Sequence, residues 1–364
     1  MKKTKWILAF ILLGLNLGFT SCKDDTDNGT TPTTTQNLPE GIFVLCEGND
    51  GMNNSSLIHY SIGTNEVIDI FDKINNQGLG DLGNDIELLG DKLFVAAKGS
   101  ASVNVLNSKT GKLIKRIPIL DENGTNRKPS RLCQSTTMLY LCTIDGYVVE
   151  INPQTLSLGR KVKVGRNPED ICYLNGNLYV TNSGGLDWNT SVGYDRTVSV
   201  VDAQSMTETK KIDVGLNPSF IKPIAENTIG LIVRGNYNDV PTSFSTINTT
   251  TNEVATTTNV NMSNFDVIGN NILYVNYDYI SMQASIKTYN YLTNTSSDFI
   301  TTSDILPQFM SPYGVNVNTA FNEVYLTDAT TYSTSGKVFV FDLNGSFKYS
   351  FATSNIPSVS LRVE

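Results

Sequence analysis

The stretch "RNPEDICYLNGNLYVTNSGG", Arg166 to Gly185, decides the fold, because paler versions of it return along the chain. It reads as a short alternating strand entered at a proline, an Asn-Gly turn, a second strand of "LYV" type and then a polar loop. With Pro168 as the marker, the same slot holds Pro129 in "KPSRLCQSTTMLYL" and Pro218 in "NPSFIKPIAENTIGLI". Pro312 fills it in "SPYGVNVNTAFNEVYL" and Pro357 in "IPSVSLRVE", while Gly83 and Asn264 stand there in two copies without proline. Successive markers lie about 46 residues apart, the length of one four-stranded propeller blade.

Each copy runs through its polar loop into two further strands, as in "TVSVVDAQSMTETKKIDV" from Thr197 and "SVNVLNSKTGKLIKRIPI" from Ser102. No segment sustains a helical period, which excludes a helical solenoid. The last copy supplies only a first strand, and "GIFVLCEGND" from Gly41 reads as a second strand. Joined, they complete one blade and leave no sheet edge exposed. The expected fold is therefore all-β: a seven-bladed propeller of four-stranded antiparallel blades over residues 39–364, closed by its N- and C-terminal strands.

Composition agrees with a modular β fold. The chain has 364 residues, only 17% of them charged, with formal net charge −8. A single core rarely grows that large unless the fold repeats. The acidic balance, with no Lys/Arg cluster, argues against a nucleic-acid groove. It leads us to expect a partner that is neutral, or one held by hydrogen bonds.

The first residues stand outside this pattern. "MKKTK" followed by "WILAFILLGLNLGF" has the charged and apolar regions of a signal peptide, too short to span a bilayer comfortably. It runs into "TSCKDD", so residues 1–21 read as a lipoprotein signal peptide and Cys22 as the acylated first residue; cleavage by an ordinary signal peptidase is the alternative. Residues 22–38 are Thr, Asp, Asn and Pro with hardly an apolar side chain, a flexible tether. "KDDTDN" resembles the acidic export signal of Bacteroidetes lipoproteins. That resemblance implies a protein lipid-anchored to the outer membrane and exposed at the cell surface. Four other cysteines, Cys46, Cys133, Cys142 and Cys172, sit in apolar strands; Cys133 and Cys142 could pair, or all four could be small buried apolar residues.

The loops between second and third strands disagree between copies, and function is expected where the scaffold stops copying itself. They carry Trp188, Tyr194, Tyr237, Tyr277, Tyr279 and Tyr332 among Asn, Asp, Ser and Gly. Flat amphipathic rings beside short hydrogen-bonding groups suit a ligand rich in oxygen and nitrogen. Traces of an enzyme are few. His59 is the sole histidine and lies on an expected strand, which weakens any triad or His-based metal site. Asp85, Glu169, Asp170 and Asp328 fall near the loop face, but no spacing pairs two of them. We therefore expect a binding protein rather than an enzyme, with no metal site and no cofactor of its own.

"YVTN" from Tyr179 resembles the signature of YVTN-type propellers. Longer stretches resemble one family more narrowly: "FVLCEGNDGMNNSSL" from Phe43, "LGDLGNDIELLGDKLFV" from Leu79 and "NPEDICYLNGNLYVTNSGG" from Asn167. "YDRTVSVVDAQSMTETKKIDVGLNP" from Tyr194 and "SPYGVNVNTAFNEVYLTDA" from Ser311 complete the set. They look like the cobalamin-capturing surface lipoproteins of Bacteroidetes, the BtuG type. The likeness covers nearly all of the chain after the tether, although "TSFSTINTTTNEVATTTNV" from Thr242 is unusually rich in Thr and Asn. It implies a corrinoid binder that hands its ligand to a TonB-dependent outer-membrane transporter. Asn53, Asn84, Asp85, Arg131 and Asn182 would then grip the amide-edged ring together with Arg234, Tyr237, Tyr313 and Asp328. Trp188 and Tyr194 would be apolar walls, with Tyr277 and Tyr332 beside them. The other readings are a glycan-binding or adhesive propeller and, further off, a carboxylate-based carbohydrate enzyme.

Overall fold

The computed structural model describes residues 36–278, 281, 283–302 and 304–363. The expected signal peptide, Cys22, the tether as far as Thr35, and Tyr279 lie outside the described residues. Seven antiparallel sheets of four strands each make a seven-bladed propeller. Blade 1 joins Pro357–Val363 to Gly41–Cys46, Ser56–Ser61 and Glu66–Asp69. The innermost strands of blades 2 to 4 are Gly83–Leu89, Pro129–Gln134 and Pro168–Leu174. Those of blades 5 to 7 are Pro218–Ala225, Asn264–Ile268 and Pro312–Asn318. Every innermost strand thus begins at one of the seven repeat markers. Proline is tolerated there because the first residue of a strand need not donate to the ladder.

Alternation along each strand builds the core. In Gly41–Cys46, Ile42, Val44 and Cys46 pack against blade 7 beside Val338 and Val340. Phe43 and Leu45, between them in sequence, face blade 2 beside Leu93 and Val95. The same division recurs around the ring, so that seven apolar clusters fill seven interfaces between blades. Each fully buried Val, Leu, Ile or Phe contributes roughly 1.5–3 kcal/mol. Half of that burial is lost to any blade without neighbours on both sides, which is why the unit is repeated.

Two devices fix the passage from the rim of one blade to the channel wall of the next. First, the residue before the marker has positive φ in five blades: Leu82, Lys128, Asn167, Asn217 and Ile356, at 46–60°. Second, side chains staple neighbouring innermost strands where edge N–H groups would otherwise lack acceptors. Asp85 accepts from Leu132 N (2.8 Å), Asp170 from Ile221 N (2.9 Å) and Asp266 from Val317 N (2.9 Å). Asn316 accepts from Ser360 N (2.8 Å) and so carries the device into blade 1.

The ring closes as expected. Gly41, Phe43 and Leu45 lie opposite Val363, Leu361 and Val359. Packing begins at Leu38, which joins the cluster between blades 1 and 2 and donates its N–H to Lys109 O (2.6 Å). The four cysteines are free and buried; Cys133 lies opposite Tyr140 and Cys142 opposite Val148. The Thr-rich stretch from Thr242 forms the two outer strands of blade 5, where Thr246 and Thr256 share a hydroxyl hydrogen bond of 2.7 Å. His59 lies on the strand Ser56–Ser61, edge-on to Phe43 at 5.0 Å, and burial lowers it to about 4.

Candidate ligand-binding face

Pairing places the start of each innermost strand beside the end of the second: Pro168 lies opposite Asn182, and Asn182 opposite Thr197. The variable loops and the turns before the markers therefore open on one face. Two cavities lie there, of about 690 Å³ and about 750 Å³, and they share Lys98, Glu169, Arg234 and Tyr237. They are two lobes of one cleft. A typical small-molecule site is roughly 300–1,000 Å³, so the two lobes together suit a large ligand.

The outer lobe belongs to the loops of blades 4 and 5. Its walls are Leu186, Trp188, Tyr194 and Tyr237. The blade 4 loop is held from below: Arg166 pairs with Asp187 and donates to Gly193 O (2.9 Å), and Asn167 Oδ1 accepts from Leu186 N (3.0 Å). So braced, Trp188 stands 62% exposed. Tyr237 sits at the tip of the blade 5 loop with φ 58° and is 71% exposed. Asn236 Oδ1 closes that tip by accepting from Asn238 N and Val240 N.

The inner lobe covers the mouth of the channel. Tyr313 donates to Glu47 Oε2 (3.0 Å) and meets Tyr332 edge to face at 5.9 Å. Burial raises the Glu47 carboxyl; the charge of Arg131 and the Tyr313 hydrogen bond oppose that. Phe220 lies between two guanidinium groups, Arg131 at 5.3 Å and Arg234 at 5.7 Å from its ring centre. Arg131 is tied to Asp85 (3.5 Å) and Arg234 to Glu169 (3.4 Å). Asn84, which donates to Ser130 O (2.9 Å), and Tyr277 complete the lining.

Of the sequence-expected contacts, Asn84, Arg131, Trp188, Tyr194 and Arg234 line the cleft, with Tyr237, Tyr277, Tyr313 and Tyr332. Four lie elsewhere. Asn182 is fully buried, accepting from Gly165 N and donating to Thr197 Oγ1 and Ser199 Oγ. Asp328 is 1% exposed and caps a turn by accepting from Met310 N, Ser311 N and Thr330 N. Asn53 is an exposed turn residue whose N–H is taken by Asp81 (3.3 Å), outside either lobe. Asp85 sits lower, in the wall of a channel cavity of about 350 Å³, because its carboxylate is used as a staple. Asp170 lies there too, raised to about 6 by burial against the pull of Arg131.

Glu47, Lys98, Lys128 and Phe220 are lining residues that loop composition did not reveal. For Glu47, Lys98 and Lys128 the signal is positional. Glu47, Lys98, Ile144, Ser183 and Arg234 each follow the last residue of a second strand. Asn84, Ser130, Glu169, Tyr313 and Ser358 each follow a marker, and Lys128, Asn167 and Asn217 each precede one. Aligned copies read at these slots give a large part of the cleft lining, and the rest comes from the loops and from the strands below.

Fold and cleft together define a seven-bladed propeller with a two-lobed cleft on its loop face. No family model and no curated protein matches the chain. Solved structures do. A quinonprotein alcohol dehydrogenase-like protein from Bacteroides thetaiotaomicron is similar over 90% of this chain and 79% of its own, with TM-score 0.62 and 15% identity. Hydrazine synthase of Kuenenia stuttgartiensis is similar over 70% and 74%, with TM-score 0.58 and 15% identity. The computationally designed Ika8 protein is similar over 88% and 91%, with TM-score 0.58 and 12% identity. At such identities the likeness is one of fold.

Proposed function

We propose that this chain is a lipid-anchored surface protein that binds cobalamin or a related corrinoid in the loop-face cleft and passes it to a TonB-dependent outer-membrane transporter. The observation that carries the binding reading is the joined cleft itself. It is walled by rings, floored by Arg131 and Arg234, and edged by Asn84, Ser130 and Tyr313. A large rigid ligand edged with amides makes many hydrogen bonds there at little ordering cost. The resemblance of "FVLCEGNDGMNNSSL" and its companion stretches to BtuG-type proteins supports the corrinoid, the anchor and the transporter.

The test is calorimetric titration of residues 36–364 with cyanocobalamin. We expect saturation at one ligand per chain. Trp188→Ala and Tyr237→Ala should weaken binding on the order of tenfold or more, as aromatic anchors covered by a ligand do, with melting temperature unchanged. Absence of heat, and of any shift in melting temperature at high ligand excess, would sink the corrinoid. A glycan reading rests on the same exposed Trp188 and Tyr237, which suit sugar faces, and retention on a polysaccharide column would favour it.

A further inference from the structure

The outer lobe has a charge that the whole molecule does not. The protein has 35 acidic against 27 basic residues, yet this lobe is lined by Lys98, Lys128 and Arg234 with Glu169 as its one carboxylate. Arg234 shares Glu169 at 3.4 Å. Neither lysine has a carboxylate within ion-pair distance among the described residues. The charge of Lys98 acts at longer range on Glu47, at the channel mouth. Lys128 occupies the turn before a marker at φ 55°, the conformation shared by Leu82, Asn167, Asn217 and Ile356, and it lines the outer lobe. Cations without a carboxylate partner, brought to one concave wall in an acidic protein, focus a positive potential there. The same lobe is lined by Trp188, Tyr194 and Tyr237.

We propose that the outer lobe is an anion subsite: it receives a phosphate, sulfonate or carboxylate carried on a flat apolar body. The body lies against Trp188 and Tyr237 and the anion meets Lys98 and Lys128, with Arg234 behind them. This deepens the corrinoid reading, since the nucleotide portion of cobalamin is joined through a phosphodiester. It differs from the expectation of a neutral or hydrogen-bonded partner, which followed from overall composition rather than from where the cations stand.

Two arms test it. In the first, 8-anilinonaphthalene-1-sulfonate and the uncharged N-phenyl-1-naphthylamine, which share an aromatic skeleton, are titrated by fluorescence. The sulfonate should bind saturably at one per chain and more tightly than the neutral dye. Lys98→Gln/Lys128→Gln should weaken the sulfonate on the order of tenfold, the loss of about one charge-assisted hydrogen bond, and leave the neutral dye unchanged. Trp188→Ala should weaken both, and melting temperatures verify that the variants are folded. Equal binding of the two dyes, an unaffected double variant, or no saturable sulfonate binding each overturns the subsite. In the second arm, cyanocobalamin is compared with dicyanocobinamide, which lacks the phosphodiester-linked nucleotide. The double variant should weaken the first alone. Failure of both corrinoids to bind removes the corrinoid reading, and the dyes still decide the subsite.

Discussion

Burial, and then the charge of Asp85, push the Glu87 carboxyl up to about 8, although Gln134 Nε2 donates to it at 2.7 Å. The folded protein therefore keeps a proton at neutral pH that an unfolded chain, with its carboxyl near 4.5, has released. By linkage, Glu87 lowers stability progressively as pH rises from about 4.5 to about 8, after which the loss is constant. Glu87→Gln keeps the shape and removes the titration. Its stability relative to the unsubstituted protein should rise across that window and level off above it, read by urea unfolding at about pH 5, 7 and 9. His59 and Asp170 titrate in both proteins and cancel from the comparison. A difference independent of pH would mean that Glu87 is already ionised in the fold.

The innermost strand is the element on which scaffold and cleft meet, and its entrance tolerates little. A Cβ on Gly314 would lie 2.0 Å from Ser358 O, in the backbone of the neighbouring innermost strand. Gly314→Ala should therefore destabilise the protein by about 1–3 kcal/mol, seen as a lower urea midpoint, whereas Gly63→Ala, with open space around it, should not. This element was largely legible in the sequence. The markers, the turn glycines and the period-two alternation all follow from backbone chemistry that every copy must repeat. The cleft was legible only in part. Rings on loops could be named because little else explains them there. Asn182 and Asp328 misled because short polar side chains satisfy turns as readily as ligands, and their partners Gly165 and Met310 are close only once the sheet has formed. Lys98 and Lys128 escaped notice because the two stand 30 residues apart in sequence and meet only across neighbouring blades.

At the scale of the whole molecule, closure depends on a polar clamp as well as on strand pairing. Glu323 of blade 7 accepts from Arg362 (2.7 Å), Tyr325 (2.7 Å) and Lys348, and Arg362 pairs also with Glu40. Burial alone would raise Glu323, but Lys348, Tyr325 and Arg362 outweigh it and hold the carboxyl below its ordinary range. Such a group stabilises the fold above its unfolded value, near 4.5, and the contribution is lost as pH falls through the lowered folded value. Glu323→Gln should cost about 3 kcal/mol at neutral pH. The gap should narrow in acid, with thermal melts across pH as the measurement.

Blade 1 also fixes an order in time. Its strand Gly41–Cys46 is among the first parts of the propeller to be synthesised, and the partner Pro357–Val363 among the last. Until that partner emerges, blades 2 to 7 can form only an open arc, with Phe43 and Leu45 lacking the strand that should lie beside them. Joining the two ends is a contact between the most distant parts of the sequence, the kind that slows folding. The ring is thus completed only after nearly the whole propeller has been synthesised, and until then the arc remains unlocked.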